Sequence, residues 1–159
     1  MDRKILVAYY SHSANTKKIA EEIHMKTGGT LCEIQPEISY PTDYDTVVEQ
    51  AKKEINMGFR PRLKTKVENM ESYDMIFIGS PNWWSTVAPP IATFLEENDL
   101  SGKIVAPFCT HGGGGEGKVK KDIAKLCPQS TITSCLSFYG SGGRDIQSKV
   151  SSWLREIGI

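Results

Sequence analysis

A run of hydroxyl and amide side chains separates the first apolar segment of the chain from an amphipathic one. The run consists of Ser11, His12, Ser13, Ala14, Asn15 and Thr16. The segment before it predicts a strand, and Ile19, Ala20 and Ile23 after it have the spacing of one helix face. Because the first N–H groups of a helix lack partners and its dipole favours anions, the run predicts a phosphate site. The same residue types are also preferred helix caps, and His12 fits either a phosphate donor or a solvated loop histidine.

Two later loops also carry residues suited to holding a ligand. Loop 80–86 contains Pro81, Asn82, Trp83 and Trp84, and loop 110–117 contains Thr110, His111, Gly112 and Gly113. Ligands of open parallel sheets bind beyond the carboxyl ends of the strands, and each of the three loops follows a predicted strand. We therefore expect one site with an anion end, an aromatic wall and closely approaching main chain around a flat ligand.

The adjacent residues Trp83 and Trp84 cannot both pack on the same face of one element. A large aromatic surface at a strand end is costly unless it is covered. The pair therefore predicts one tryptophan in the core and one available to stack on a planar ligand. The sequence does not decide which tryptophan has which role.

The glycine-rich loop matches two nucleotide-binding patterns by spacing alone. Gly112, Gly114 and Gly117 fit the dinucleotide fingerprint, and residues 112–118 nearly fit a P-loop. Val119 follows Lys118 where a P-loop needs a hydroxyl for Mg²⁺, and both motifs normally follow the first strand of their unit. A nucleotide phosphate bound at residues 112–118 stays as a minor alternative.

Short apolar runs alternate with amphipathic ones, which predicts an α/β fold with helices on both faces of a parallel sheet. The predicted strands are residues 4–10, 30–35, 75–79, 104–109 and 131–138. The predicted helices are residues 16–27, 44–57, 90–97, 116–126 and 143–157. Residues 58–72 lack either period and form the longest irregular connection. Pro107 lies inside a predicted central strand, so that strand should end early or bulge there.

Length and composition limit the classes of function. The 159 residues correspond to one domain, 1–159, and 19 basic against 19 acidic side chains imply neither nucleic acid nor an anionic membrane as a partner. No apolar run approaches the roughly 20 residues of a membrane span, and no signal-peptide core is recognisable. The four cysteines form no C-x-x-C pair, which argues against a redox dithiol or zinc site. A cytoplasmic protein without membrane insertion is expected.

The three loops together resemble those of flavodoxin-type FMN-binding proteins, most closely a bacterial short-chain subgroup. Ser11, Ala14 and Thr16 match the phosphate-loop pattern Ser/Thr-x-x-Gly/Ala-x-Thr, with alanine where glycine is common. Gly-Ser-Pro-x-Trp-Trp and Thr-His-Gly-Gly match the later loops. The resemblance extends over the whole chain. It implies a three-layer, doubly wound sandwich, a five-stranded parallel sheet of order 2-1-3-4-5, and FMN as the cofactor.

The resemblance also implies roles for the later loops. Backbone atoms near Asn82 and Trp83 would approach the flavin N5 edge. The glycines would let main-chain N–H groups reach the carbonyl oxygens of the ring. His111 would stabilise charge at flavin N1 or move a proton, or else bond its own loop.

Two functions are consistent with these features. The first is an electron carrier that serves a redox partner protein, although the neutral composition is unlike the acidic surface common among carriers. The second is an FMN-dependent NAD(P)H:quinone or related reductase that uses a small-molecule acceptor such as a quinone. In that case Arg60, Arg62, His111 and Tyr139 could hold a second substrate.

Overall fold

A computed structural model describes residues 3–159, so Met1 and Asp2, which open the predicted domain, lie outside the described residues. The strands are β1 (Ile5–Tyr9), β2 (Thr30–Glu33), β3 (Met75–Trp83), β4 (Thr86–Val87), β5 (Ile104–His111), β6 (Thr131–Ile132) and β7 (Leu136–Tyr139). The helices are α1 (Asn15–Thr27), α2 (Tyr44–Met57), α3 (Pro89–Glu97), α4 (Val119–Leu126) and α5 (Ile146–Glu156). Short 3₁₀ turns span Met70–Ser72 and Gly143–Asp145.

The strands form one sheet in the order β2-β1-β3-β5-β6, with β4 beside β3 and β7 beside β5. All pairs are parallel except β3 with β4. Successive residues of β1 face opposite sides, so Leu6 joins the apolar cluster under α2, α3 and α4 while Val7 joins the one under α1 and α5. These two buried layers confirm the predicted doubly wound α/β class.

The predicted number of strands, five, is wrong because the sheet has seven. One extra strand arises because β3 continues past Gly79 to Trp83 and turns back into β4. The other arises because the predicted strand 131–138 is interrupted between β6 and β7. The two short strands β6 and β7 both pair with β5, so the predicted order of the parallel strands holds.

The interruption between β6 and β7 also explains how Pro107 is accommodated. Pro107 pairs with Ile78 inside β5, which neither ends early nor bulges as predicted. The N–H of Thr133 donates to the C=O of Val105 at 3.0 Å, so Val105 and Pro107, two residues apart, direct their backbone groups toward the β6–β7 side. On that side the ladder is open between Val105 and Phe108, and the missing N–H of Pro107 costs no strand bond.

Three further properties concern the described residues as a whole. Among residues 3–159, no helix is long and apolar enough to cross a membrane. In the same range, no group of three or more His, Cys, Asp or Glu side chains is arranged to hold a metal ion. The four cysteines are free thiols, of which Cys109 and Cys127 are buried. Burial raises the pKa of the Cys127 thiol to about 11.

Candidate functional site

The turn after β1 enters α1 through a left-handed residue. Ala14 has φ 69° and ψ −1°, and its C=O accepts the N–H of Lys18 in the first hydrogen bond of the helix. Such a conformation favours glycine, which accounts for glycine being common at this position in the family that the sequence resembles. The hydroxyl oxygen of Ser11 accepts the N–H of Lys17 at 3.1 Å, so Ser11 caps the helix.

Four consecutive backbone donors remain at this helix start. Within residues 3–159, the N–H groups of residues 13–16 have no protein acceptor. Ser13 and Ala14 are exposed, and the side chains of Ser13 and Asn15 line the cavity described below. Free donors that converge at the positive end of a helix are the arrangement that holds phosphate groups in proteins.

Two residues of the predicted phosphate turn direct polar atoms elsewhere. The hydroxyls of Thr16 and Thr110 lie 2.8 Å apart, and both side chains are buried. His12 lines the cavity, but its Nε2–H donates to the C=O of Pro41 at 2.7 Å. Thr16 therefore links α1 to the end of β5, and His12 fixes the segment between β2 and α2.

The predicted loop 80–86 is a β-hairpin. Trp83 pairs with Thr86, and the two residues between them, Trp84 and Ser85, have φ values of 53° and 70°. Positive φ at both positions is what type I′ hairpin turns require. Asn82 Nδ2–H donates to the C=O of Gly115 at 2.8 Å, which ties the hairpin to the glycine-rich loop.

The two tryptophans of the hairpin lie in different surroundings. Trp83 is partly buried and packs edge-on against Tyr10, Tyr40 and His12, with ring centroids 5.1–5.8 Å apart. Trp84 is 49% exposed, and its Nε1–H donates to the C=O of Val48 at 2.9 Å. The expected division into an inner and an outer tryptophan therefore assigns Trp83 to the inside.

The glycine-rich loop folds against the hairpin. Lys118 N–H donates to the C=O of Ser85 at 2.7 Å, and a Cβ on Gly117 would lie 2.5 Å from the Ser85 hydroxyl. Gly113 N–H donates to His111 Nδ1 at 3.0 Å, which leaves the neutral imidazole with its proton on Nε2. Two of the N–H groups that a phosphate-binding loop would need, those of Gly113 and Lys118, thus have protein acceptors.

The three loops surround one cavity of about 510 Å³, a size typical of small-molecule sites. Its lining residues are His12, Ser13, Asn15, Tyr44, Val47, Val48, Ala51, Pro81, Asn82, Trp83, Trp84, Thr110, His111, Gly112, Tyr139 and Gly140. Most of the predicted site residues are therefore brought together. Ser11, Ala14, Thr16 and Gly113 lie beside the cavity without lining it.

The sequence does not predict the wall that α2 contributes to the cavity. Tyr44, Val47, Val48 and Ala51 come from α2, which was expected only to cover the sheet. Adjacent valines at 47 and 48 widen the apolar face of this helix beyond a single stripe. That width is the one signal that could have indicated a second apolar contact.

The charged side chains near the cavity lie outside its lining. No Lys, Arg, Asp or Glu belongs to its lining. Arg60 instead pairs with Glu96 at 3.0 Å, and Arg62 lies on an extended segment beside Glu37. His111 and Tyr139 do meet at the cavity, with ring centroids 6.0 Å apart, so only half of the residues proposed for a second substrate lie there.

Buried phenols lie beneath Trp83. Burial raises the pKa of both Tyr10 and Tyr40 above the ordinary tyrosine value, and nearby Glu54 adds to the increase. Tyr40 also donates its O–H to Glu54 at 2.5 Å. The inner tryptophan therefore rests on side chains that stay neutral in the folded protein over the physiological pH range.

The sequence model of the flavodoxin family matches residues 4–157. The chain belongs to the flavodoxin family. Among curated proteins, no sequence gives a significant match.

Several solved structures resemble this family member over nearly its whole length. A Bacteroides eggerthii protein assigned as a flavoprotein is 33% identical over 99% of both chains, with a TM-score of 0.87. A flavoprotein from Lactobacillus acidophilus, solved in complex with FMN, is 28% identical over 95% of this chain and 98% of that one, with a TM-score of 0.76. Oxidised flavodoxin 2 from Bacillus cereus is 21% identical over 94% of each chain, with a TM-score of 0.60, and shares the fold.

Proposed function

We propose that this protein binds FMN in the cavity between the three loops and works as a flavodoxin-type electron carrier. The observation that carries the proposal is the row of free N–H groups at residues 13–16, which opens onto a cavity walled by Trp83 and Trp84. Membership of the flavodoxin family and the FMN complex of the Lactobacillus relative support FMN as the cofactor. When bound, FMN supplies the redox chemistry.

Each part of the site then has a role toward the cofactor. The N–H groups at the start of α1, with Ser13 and Asn15, hold the phosphate. Trp84 is the tryptophan that we assign to stacking, because Trp83 is engaged with Tyr10 and Tyr40 beneath it. His111 Nδ1 accepts from Gly113 of its own loop, so its Nε2–H is the group assigned to donate to the ring.

The uncharged cavity favours a carrier over a pyridine-nucleotide reductase. A dinucleotide brings two phosphate groups, and these are usually recognised by arginine, lysine or a free helix start. No arginine or lysine lines the cavity, and the donors of residues 13–16 are assigned to FMN. We accordingly place a redox partner protein as donor or acceptor, in the cytoplasm. Reduction of a small aromatic acceptor such as a quinone stays as the second candidate, because His111 and Tyr139 meet at the cavity edge.

The phosphate assignment is tested by one isosteric substitution. Asn15→Asp places a negative charge in the proposed phosphate site, while the same charge in the first turn of α1 favours the helix. FMN affinity should fall at least about tenfold, since repulsion of about 1.4 kcal/mol corresponds to that factor, whereas riboflavin affinity should stay nearly unchanged. Both can be measured by quenching of flavin fluorescence on titration with apoprotein.

A charge-matched control separates local from general electrostatics. Gln129→Glu adds the same charge to an exposed side chain that does not line the cavity. Gln129 precedes the amino end of β6, whereas the cavity lies beyond the carboxyl ends of the strands. This substitution should leave FMN affinity unchanged. Equal loss of FMN and riboflavin affinity in Asn15→Asp would refute the phosphate assignment.

The carrier assignment needs a separate measurement. An anaerobic redox titration of the FMN-loaded protein should show two separated one-electron steps for a carrier. Oxidation of NADH or NADPH in the presence of a quinone, at rates above those of free FMN, would instead identify a reductase.

A further inference from the structure

The indole of Trp84 joins the β3–β4 hairpin to α2 across the edge of the cavity. Its Nε1–H donates to the C=O of Val48 at 2.9 Å, and the Lys52 ammonium lies 5.2 Å from its ring centroid. Val48 and Lys52 are four residues apart, so they share one face of α2. Because about half of the indole is exposed, these two contacts rather than burial determine where the ring lies.

The turn that carries this indole is conformationally costly. Trp84 and Ser85 both have positive φ, which L-residues with large side chains rarely adopt. The bonds from Asn82 to Gly115 and from Lys118 to Ser85 fix the hairpin without involving the indole. The position of the ring therefore depends on its contacts with Val48 and Lys52 of α2.

We propose that Lys52 is a positioning residue whose ammonium holds the Trp84 indole against α2 as a wall of the cofactor cavity. The indole must leave this place, or tilt within it, for a flat ring to pass between Trp84 and the loops opposite. Loss of the cation therefore speeds release of the cofactor. Insofar as the cofactor is FMN, the inference rests on the function proposed above.

The neighbouring lysine provides a matched control. Lys53 is exposed on the same helix, but it lies with Asp45, Thr46 and Glu49 on another part of the surface. Lys52→Gln and Lys53→Gln remove the same charge from α2, one position apart. Lys52→Arg keeps a cation that can lie over the ring, and it should behave as the unaltered protein does.

The position of the indole can be measured without any flavin. Acrylamide is an uncharged quencher, so its local concentration does not depend on the lysine charge. In the apoprotein, Lys52→Gln should increase acrylamide quenching of tryptophan fluorescence, and Lys53→Gln should not. Trp153 is buried and Trp83 partly buried, so the change reports mainly on Trp84. Unchanged quenching in Lys52→Gln would overturn the proposal.

Cofactor release gives the second measurement. In Lys52→Gln the FMN dissociation rate should rise about two- to fivefold, the range that an exposed cation–π contact provides, with riboflavin affected equally. An increase in quenching without faster release would refute the role toward the cofactor. Absence of FMN binding in the unaltered protein would refute the proposed function, whereas the quenching experiment would still test the position of Trp84.

Discussion

The two loops on either side of the cavity are stabilised in different ways. Residues 11–16 are shaped mainly by near neighbours, with Ser11 accepting from Lys17 six residues later. The hairpin is held by residues 33 and 36 positions away, through the bonds of Asn82 to Gly115 and of Trp84 to Val48. The backbone of the first loop is therefore shaped by local bonds, with side-chain contacts to Pro41 and Thr110, while the hairpin depends on contacts with distant parts of the chain.

The largest effect is expected where the hairpin meets the glycine-rich loop. Gly117→Ala places a Cβ 2.5 Å from the Ser85 hydroxyl, and its φ of 52° disfavours alanine. The free energy of unfolding should fall by about 2–3 kcal/mol, from the left-handed conformation and from overpacking together. Urea unfolding followed by tryptophan fluorescence measures the change.

Gly112→Ala is the control for this substitution. A Cβ at Gly112 would meet no atom within 4 Å, and its φ is not positive. Its stability should change by no more than about 0.5 kcal/mol. Equal losses of stability in the two variants would show that the close approach of Gly117 to Ser85 does not explain the effect of Gly117→Ala.

The contact between Thr16 of the first loop and Thr110 of β5 should have the next largest effect. Thr16→Ala leaves the buried Thr110 hydroxyl without its partner at 2.8 Å, which costs about 1–3 kcal/mol of stability. Because the Thr16 hydroxyl does not line the cavity, FMN affinity should fall less than in Asn15→Asp.

Thr16→Ser keeps the hydroxyl and should recover most of the lost stability. A double-mutant cycle with Thr110→Ala should give a coupling energy of at least about 0.5 kcal/mol. Additive losses would contradict a direct bond between the two hydroxyls.

The buried tyrosines Tyr10 and Tyr40, which pack against Trp83 of the hairpin, predict that the free energy of unfolding falls at alkaline pH. Burial raises the pKa of both Tyr10 and Tyr40, so the folded state keeps them neutral above pH 10 while the unfolded state ionises them. Their contribution is complete below about pH 10 and is lost as the pH rises, by about 1.4 kcal/mol per pH unit for each tyrosine.

Tyr40→Phe should therefore reduce the slope of stability against pH above pH 10 by one tyrosine. Tyr44 is exposed, so Tyr44→Phe should leave that slope unchanged. Stability measured by urea unfolding between pH 9 and pH 11.5 provides the comparison. A slope in Tyr40→Phe equal to that of the unaltered protein would show that this phenol ionises in the folded state.

The same contrast explains which features could be predicted from the sequence. The order of the parallel strands, the limits of α2 and the helix start at residues 15–16 follow from local periodicity and turn chemistry. The hairpin could not be predicted, because its turn residues are Trp84 and Ser85 instead of the glycine or asparagine that mark type I′ turns. The α2 wall and the break opposite Pro107 depend on distant packing, which periodicity does not encode.

The smallest effect tests how local the first loop is. Ala14 has φ 69°, so Ala14→Gly removes a left-handed penalty of about 1–2 kcal/mol but adds about 0.4–1 kcal/mol of unfolded-state entropy. A net gain between zero and about 1.6 kcal/mol is expected in urea unfolding. Ala124→Gly, inside α4, should instead cost about 1 kcal/mol, since glycine has no advantage in a regular helix. If Ala14→Gly were as destabilising as Ala124→Gly, contacts of the Ala14 methyl rather than backbone conformation would hold the turn, and the local character assigned to this loop would be wrong.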